Sequence, residues 1–401
     1  MKLRPDTFAL TALLALLTAL GPFSVDMYLA SLPDIGRRLS ASPATVQLTL
    51  SVYLVAYAVG QVLYGPLSDR YGRKPVLMVA LAGYCVASLA CALAPSIEAL
   101  LAARALQALG SSGSIVIARA IVRDLYEGAR AGRELALMGA IFALAPVIAP
   151  TVGGVLQSAF GWRANFGVLA LIGVAAVLLV WRLLPETLRA RAADPPGVAA
   201  MLAAYREILR SRVFLAYLSL IAASFGGVFA WISASPFVLQ ELYGLTPLWF
   251  GFAFATASLG FLTGSVLATR AVMRLGLDRT IGLGAILLAL GGLGSLAAVW
   301  LGDSVVPIVA AVALYACGMG LVQPQTIAGA LMPFPHRAGA ASSLVGVAQM
   351  GSATLVGIAV GLALGASAWP LAVPLAALGL LTLLIWVTTR ELRAKARDAR
   401  G

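Results

Sequence analysis

Two charged side chains lie deep inside long apolar segments of this sequence. Asp26 is an acid in the first apolar segment, and Arg104 is a base in the fourth. The other charged residues fall in short polar stretches or at segment ends. Placing one charge in hydrocarbon costs about 2.5–3.5 kcal/mol even on the lenient insertion scale. An acid and a base that are kept at this cost suggest proton or ion coupling in a transporter.

The composition indicates an integral membrane protein. Of the 401 residues, 61% are hydrophobic and 11% are charged, and the mean hydropathy is +0.95, whereas soluble domains carry about 25% charged residues. Since a spanning helix needs about 20 apolar residues, the pattern predicts an all-α membrane protein with twelve transmembrane helices. We place them at roughly 8–30, 44–64, 75–95, 98–118, 135–159, 163–184, 213–237, 248–269, 280–301, 304–331, 340–364 and 369–388.

The longest polar segment divides these spans into two sets of six. We predict a six-helix bundle over 1–184, a cytoplasmic linker with an amphipathic helix over 185–212, and a second six-helix bundle over 213–401. In the linker, Ala193-Asp194-Pro195-Pro196 breaks the chain before apolar residues at helical spacing, which predicts a short helix on the inner leaflet. The sequence at 69–73 is weakly echoed at 273–277, which favours two pseudo-symmetric halves.

The basic residues are distributed unevenly between the two sides of the predicted spans. Twenty-four fall on the side of both termini, and three fall on the other side: Arg37, Arg38 and Arg163. The positive-inside rule therefore predicts that both termini are cytoplasmic. The net charge of +12 is scattered through short loops, so we expect membrane lipid as a partner and no nucleic acid.

A basic loop with two glycines joins the second and third predicted spans. Gly65 and Gly72 are expected to permit a tight turn, and Asp69 can cap a helix or pair with a base. With Arg70 and Arg73 at the cytoplasmic leaflet, these five residues are predicted to form a conformational switch. An ordinary positive-inside loop is the alternative.

Four motifs resemble those of known transporters. Gly65-Pro66-Leu67-Ser68-Asp69-Arg70-Tyr71-Gly72-Arg73-Lys74 resembles the major facilitator superfamily signature Gly-x-Leu-x-Asp-Arg-x-Gly-Arg-Lys and matches it fully. Arg104-Ala105-Leu106-Gln107 resembles the Arg-x-x-Gln-Gly motif of drug:proton antiporters, with Ala108 in place of the glycine. Ala149-Pro150-Thr151-Val152-Gly153-Gly154 resembles their Gly-Pro-x-x-Gly-Gly motif, with Ala149 for the first glycine. Asp26-Met27-Tyr28-Leu29-Ala30-Ser31-Leu32-Pro33 is similar to the Asp-Met-Tyr-Leu-Pro-x-Leu-Pro run of the Bcr/CflA drug-resistance transporters.

The resemblance implies a proton-coupled multidrug exporter of the bacterial inner membrane that works by alternating access. Its substrates would be small amphipathic drugs such as chloramphenicol- or bicyclomycin-like compounds. The proton gradient would drive transport, so we expect no cofactor, no metal and no enzymatic activity, with a drug and protons as partners of a monomer.

The sequence also bears on three other functions. A proton-coupled transporter of a natural metabolite, such as an amino acid or a sugar, stays an alternative. A membrane-embedded enzyme would need a histidine cluster, metal-ligand spacing or a Ser/His/Asp set, and the sequence shows none of these. A channel is disfavoured by the two-fold repeat with broken helices.

Asp26 and Arg104 are predicted to act together as the proton-coupling residues. Asp26 precedes Asp34 by 8 residues, and Arg104 follows Glu98 by 6, so they lie about 12 and 9 Å below the outer border at about 1.5 Å per residue. Both could face one cavity, although a purely structural ion pair is the alternative. Desolvation favours a neutral carboxyl and a nearby cation favours a charged one, which is the opposition that a switchable proton site needs.

Two further sets of candidates follow from position and residue type. The antiporter helix motif in span 5 consists of Pro146, Pro150, Gly153 and Gly154. Prolines bend a helix and glycines permit close helix contacts, although generic membrane packing would use the same residues. The substrate cavity candidates are Tyr57, Gln107, Met138, Trp231 and Gln349. Apolar and aromatic walls with few polar groups suit drug-sized ligands, although core packing or lipid contact would explain each one equally well.

Overall fold

A computed structural model of the chain describes residues 8–126, 128–188, 198–302, 304–334 and 337–398, and these residues are nearly all helical. The helices are α1 (Phe8–Asp26), α2 (Leu32–Arg38), α3 (Pro43–Tyr71), α4 (Arg73–Ala92), α5 (Ile97–Leu125), α6 (Gly128–Phe160), α7 (Trp162–Leu183), α8 (Val198–Leu209), α9 (Arg212–Phe237), α10 (Pro247–Leu275), α11 (Leu277–Leu301), α12 (Val305–Leu331), α13 (Ala338–Ala363), α14 (Trp369–Thr388) and α15 (Arg390–Asp398).

Twelve helical stretches among the described residues are long and apolar enough to cross a membrane. The first runs over Ala9–Arg38 and combines α1, a 3₁₀ turn at Leu29–Ser31, and α2. The other eleven correspond to α3–α7 and α9–α14, while α8 and α15 are too short to span. The predicted fold class of twelve transmembrane helices is therefore confirmed.

Internal contacts divide the chain into two compact units. Unit 1 comprises 1–195 and the short segment 246–251, and unit 2 comprises 196–245 and 252–401. In unit 1, α5 packs against α3 and α4, α7 packs against α4, and α1 packs against α6. In unit 2, α11 packs against α12 and α14, and α9 packs against α12, α13 and α14. The linker residues 189–197, which include the predicted breaker, lie outside the described residues.

The loop between the second and third spans is much shorter than the sequence predicts. Helix α3 continues through Gly65 and Pro66 to Tyr71, and only Gly72 separates it from α4. The expectation that Gly65 takes part in the turn is therefore wrong. Gly72 alone makes it, with a φ of 104° that favours glycine.

The first span is interrupted where its acid lies. Helix α1 ends at Asp26, the 3₁₀ turn follows at Leu29–Ser31, and Pro33 stands in the first turn of α2. A proline there fits because the first helical N–H groups have no partner within the helix. The first span is therefore broken, which was expected of a transporter but not at this position.

The linker helix α8 packs against unit 2. Ile208 is fully buried in an apolar cluster with Phe214, Ile281 and Val345. Glu207 on the same helix pairs with Arg337 at the start of α13. This end of the helix therefore packs against unit 2, and the side chains of 198–202 lie outside the described residues. The predicted place of the helix on the inner leaflet stays a prediction.

A buried arginine connects the last helix to the rest of unit 2. Arg393 of α15 donates through Nε to Asp278 Oδ1 at 2.8 Å and through Nη2 to the Trp386 carbonyl at 2.8 Å. The Trp386 indole donates to the Asp278 carbonyl at 3.0 Å. The Arg393 side chain is only 1% exposed, and Asp278 is 26% exposed. These bonds connect the segment after the last span to the first turn of α11.

We predict that Arg393→Ala destabilises unit 2, because it leaves the Asp278 carboxylate without its partner. Hydrogen bonds to charged groups contribute about 1.5–3 kcal/mol, and the partial exposure of Asp278 favours the lower end of that range. A thermal melt of the purified protein in detergent measures the effect. Arg390→Ala, which removes an exposed arginine three residues earlier, is the matched control. Equal melting temperatures for both variants and the wild type would contradict the prediction.

Candidate functional site

Asp26 is a buried acid that has no partner among the described residues. It ends α1, is 5% exposed, and receives no hydrogen bond or ion pair from any described residue. A buried carboxylate with no partner is costly in a medium of low dielectric, and taking up a proton removes that cost. The arrangement suits a group that binds and releases a proton.

Arg104 is fully buried on α5 and is held by aromatic rings and neutral acceptors. Its guanidinium carbon lies 4.3 Å from the Tyr28 ring centroid and 4.2 Å from that of Tyr53. Its Nη1 donates to the Ser24 carbonyl at 2.9 Å and to Gln107 Oε1 at 2.6 Å. Within the described part of the chain, Nε and Nη2 have no hydrogen-bond partner.

The structure does not pair Arg104 with Asp26. The structural ion pair that was the alternative interpretation is therefore not formed, and Arg104 instead contacts the Ser24 carbonyl, the Gln107 amide and the two rings. The two charges are nevertheless linked through one short segment, because Ser24 and Tyr28 each lie two residues from Asp26. Their shared role in proton coupling stays a prediction.

A network of buried hydroxyl and amide groups surrounds the arginine. Gln107 Nε2 donates to Ser88 Oγ at 2.8 Å, so both ends of this amide are occupied. Three hydroxyl pairs share hydrogen bonds: Ser24 with Tyr84 at 2.8 Å, Tyr53 with Ser111 at 2.6 Å, and Tyr28 with Thr49 at 3.0 Å. Sequence reasoning missed these partners, since serine and tyrosine are ordinary residues in spans. Gln107, predicted to line a cavity, is fully buried and orients Arg104.

Three of the other cavity candidates are buried side chains. In unit 1, Tyr57 is buried and stacks on Tyr53 with a centroid distance of 5.9 Å, and Met138 is buried on α6. In unit 2, Trp231 is buried and stacks on Phe254 at 5.9 Å. The Trp231 indole nitrogen has no hydrogen-bond partner among the described residues.

Gln349 is the only one of these five candidates that is half-buried rather than buried. Its Nε2 donates to Gln323 Oε1 at 2.8 Å, and Gln323 in turn lies 3.4 Å from Ser224 Oγ. Sequence reasoning missed Gln323 and Ser224. The assignment of all five residues to a substrate cavity stays a prediction.

Two of the predicted switch residues, Asp69 and Arg73, belong to a charged network at one end of unit 1. Arg73 pairs with Asp69 and donates through Nε to Asp124 Oδ2 at 2.9 Å and through Nη1 to Ser68 Oγ at 2.8 Å. Arg70 stays outside this network, since its guanidinium lies over the Tyr71 ring at 5.3 Å. The network thus joins the end of α3 to α4 and to the end of α5.

A carboxylate from the end of α7 covers the N-terminus of α4. Glu186 accepts from the backbone N–H groups of Arg73 at 3.0 Å and Lys74 at 3.1 Å. A carboxylate is stabilised there by the unpaired N–H groups and the helix dipole. A Cβ on Gly72 would lie 2.7 Å from Glu186 Oε2, so glycine is required for close approach as well as for φ.

The antiporter motif brings α6 against the break in the first span. Pro146 and Pro150 lie within α6, which remains helical throughout. A Cβ on Gly153 would lie 1.7 Å from the Met27 carbonyl oxygen. Gly154 meets residues 246–251 of unit 1, where its Cβ would lie 2.4 Å from the Pro247 carbonyl oxygen. The motif glycines therefore allow backbone contact next to Asp26.

We predict that Gly153→Ala destabilises the protein strongly, because the added methyl collides with backbone that cannot rotate away. Overpacking typically costs about 1–3 kcal/mol, and a backbone collision lies at the upper end. The matched control is Gly139→Ala on the same helix, where a Cβ meets no atom within 4 Å. A thermal melt in detergent should show a lower melting temperature for Gly153→Ala alone. An equal effect of both substitutions would contradict this account.

Among the described residues, twelve apolar spans in two units, with a buried acid at a break in the first span, indicate a multi-pass membrane protein. A sequence profile of the Major Facilitator Superfamily matches residues 14–357. The chain belongs to the Major Facilitator Superfamily. It is a transporter of the bacterial inner membrane and not an enzyme.

Curated relatives and a solved structure agree with this assignment. An uncharacterised MFS-type transporter of Bacillus subtilis (strain 168) is 34% identical over 368 residues, which cover 89% of each chain. A chloramphenicol resistance protein of Pseudomonas aeruginosa is 33% identical over 84% of this chain and 80% of that protein. A bacterial homologue of the human lysosomal transporter Spinster has the same fold, with a TM-score of 0.76 at 18% identity over 98% of both chains. The resemblance to drug-resistance transporters is thus confirmed.

Proposed function

We propose that this protein exports small amphipathic drugs in exchange for protons, by alternating access. The observation that carries the proposal is Asp26, a buried acid that no described residue pairs with, at the break in the first span. The similarity to a chloramphenicol resistance protein supports a drug of that size as substrate. Both termini are cytoplasmic in this proposal, and the transporter works as a monomer without a cofactor.

Asp26 takes up a proton in one state and releases it in the other. Arg104 stays charged, and it is fixed to the same segment through the Ser24 carbonyl and the Tyr28 ring. Protonation removes the negative charge at the helix break, so the field around Arg104 changes without movement of the arginine. A potential of about 100 mV is worth about 2.3 kcal/mol per charge. That sustains about a fortyfold substrate gradient.

The charged network around Arg73 is the conformational switch in this proposal. Asp69 and Asp124 hold Arg73 between them, and Glu186 fastens the start of α4 to the end of α7. These bonds make one end of four helices move together. Gly65, which lies inside α3, contributes no turn to this switch.

We predict that Asp26→Asn abolishes proton-driven export, because an amide cannot carry the proton. Drug-dependent proton movement in everted membrane vesicles measures this directly, and drug susceptibility of an efflux-deficient host measures it in cells. Asp34→Asn is the matched control, since Asp34 is an acid eight residues further on that pairs with Arg38 at 3.1 Å. It should retain export at normal expression.

Two results would contradict the proposal. Full export by Asp26→Asn against a gradient would exclude Asp26 as the proton carrier. Unchanged susceptibility of the host to a broad drug panel when it expresses the wild-type protein would exclude drug export and favour a natural metabolite as substrate.

We predict that Arg104→Ala loses export and that Arg104→Lys retains more of it. Alanine leaves the Ser24 carbonyl and Gln107 Oε1 without a donor, at about 1–3 kcal/mol for each unsatisfied buried group. Lysine keeps a cation between the two rings but lacks the planar fork. Vesicle transport and a thermal melt on the same preparations separate loss of function from loss of folding. Wild-type transport by Arg104→Ala would exclude a role for this charge.

A further inference from the structure

A groove on the surface of unit 1 has a lining suited to hydrocarbon. It encloses about 420 Å³ between α3 and α4, with α5 behind them. We call it the α3–α4 groove, and it is lined by Leu63, Tyr64, Leu67, Tyr71, Pro75, Val76, Val79 and Leu109. The lining carries no charged side chain. The groove takes no part in the proton site or in the switch network described above.

The groove follows the last two turns of α3. Its α3 wall extends from Tyr71 at the end of the helix to Leu63, eight residues deeper, which is about 12 Å at 1.5 Å per residue. Half of a bilayer's hydrocarbon core is about 15 Å thick. A single acyl chain of one leaflet therefore matches the groove in length.

An exposed arginine that forms no ion pair with a described acid lies beside the groove. Of the three bases in the loop motif, Arg73 is bound by Asp69 and Asp124, and Lys74 donates to the carbonyls of Trp181 and Leu184. Arg70 is exposed, and among the described residues no acid pairs with it. Its guanidinium lies over Tyr71, which itself lines the groove.

We propose that the α3–α4 groove binds one anionic phospholipid, with an acyl chain along the groove and the phosphate on Arg70. The basic side of the membrane, where Arg70 lies, is also the side on which anionic lipids attract cationic residues. The lipid would rest against the end of α3, which carries Asp69 and Arg70.

The test measures how much lipid the purified full-length protein retains, by native mass spectrometry. The protein is first exchanged either into phosphatidylglycerol or into phosphatidylcholine that has the same acyl chains. The wild type should retain phosphatidylglycerol better. Arg70→Gln should weaken phosphatidylglycerol retention about fivefold and remove the preference over phosphatidylcholine. Arg274→Gln is the matched control, because Arg274 is the echo of Arg70 in unit 2 and is followed by Leu275 instead of a tyrosine.

A second pair of variants tests the acyl chain separately from the headgroup. Val79 lines the groove and is 73% exposed, and Val86 lies two turns further along α4, outside the groove, at 71% exposure. Val79→Phe fills the groove and should weaken retention of both lipids, whereas Val86→Phe should change neither. Inorganic phosphate alone should not displace the lipid.

Three outcomes would overturn the proposal. The first is equal retention by the wild type, Arg70→Gln and Val79→Phe. The second is displacement by inorganic phosphate, which would indicate a simple anion site. The third is a change of oligomeric state in Val79→Phe with unchanged lipid retention, which would assign the groove to a contact between two copies of the chain. None of these measurements depends on drug export, so the proposed function can fail independently.

Discussion

The burial of one positive charge, that of Arg104, is the constraint on which much of unit 1 depends. Moving a guanidinium out of water costs several kcal/mol even after relaxation. Two tyrosine faces, a backbone carbonyl and a glutamine amide offset that cost. Each of these groups needs a fixed orientation, which a second set of buried polar residues supplies: Thr49, Tyr84, Ser88 and Ser111. These four buried polar residues therefore belong to the environment of one arginine.

The two units use opposite charges at corresponding places in the weak sequence repeat. In unit 1, Glu186 follows the sixth span and accepts from the first N–H groups of α4. In unit 2, Arg393 follows the twelfth span and binds Asp278 in the first turn of α11. A helix N-terminus favours a negative charge, and unit 2 has that charge within the helix itself. In unit 2 the base Arg393 can therefore bind the start of α11, whereas in unit 1 the acid Glu186 binds the start of α4.

The twelve spans could be predicted because hydropathy alone determines them. Their ends could not, since α3 passes through Gly65-Pro66 and continues to Tyr71. Asp26 and Arg104 were found because charges are rare in apolar segments. The structural ion pair, which was the alternative interpretation, is absent from the described residues, since Arg104 contacts the Ser24 carbonyl and two tyrosine rings. The prediction that both residues take part in proton coupling stays a prediction. These partners are set by tertiary packing, and their residue types carry no signal of their own in a membrane span.

The break in the first span explains how an acid and a base can be coupled without touching. Ser24 and Tyr28 hold the arginine, and Asp26 lies between them at the end of α1. The next residue, Met27, presents its carbonyl to the backbone of α6 at Gly153, where no side chain fits. The segment from Ser24 to Tyr28 is thus contacted by Arg104 of α5 and by the backbone of α6. Arg104 contacts this segment at Ser24 and Tyr28, and α6 contacts it at Met27 through Gly153. Two motifs that lie far apart in the sequence therefore meet at the short segment that carries Asp26.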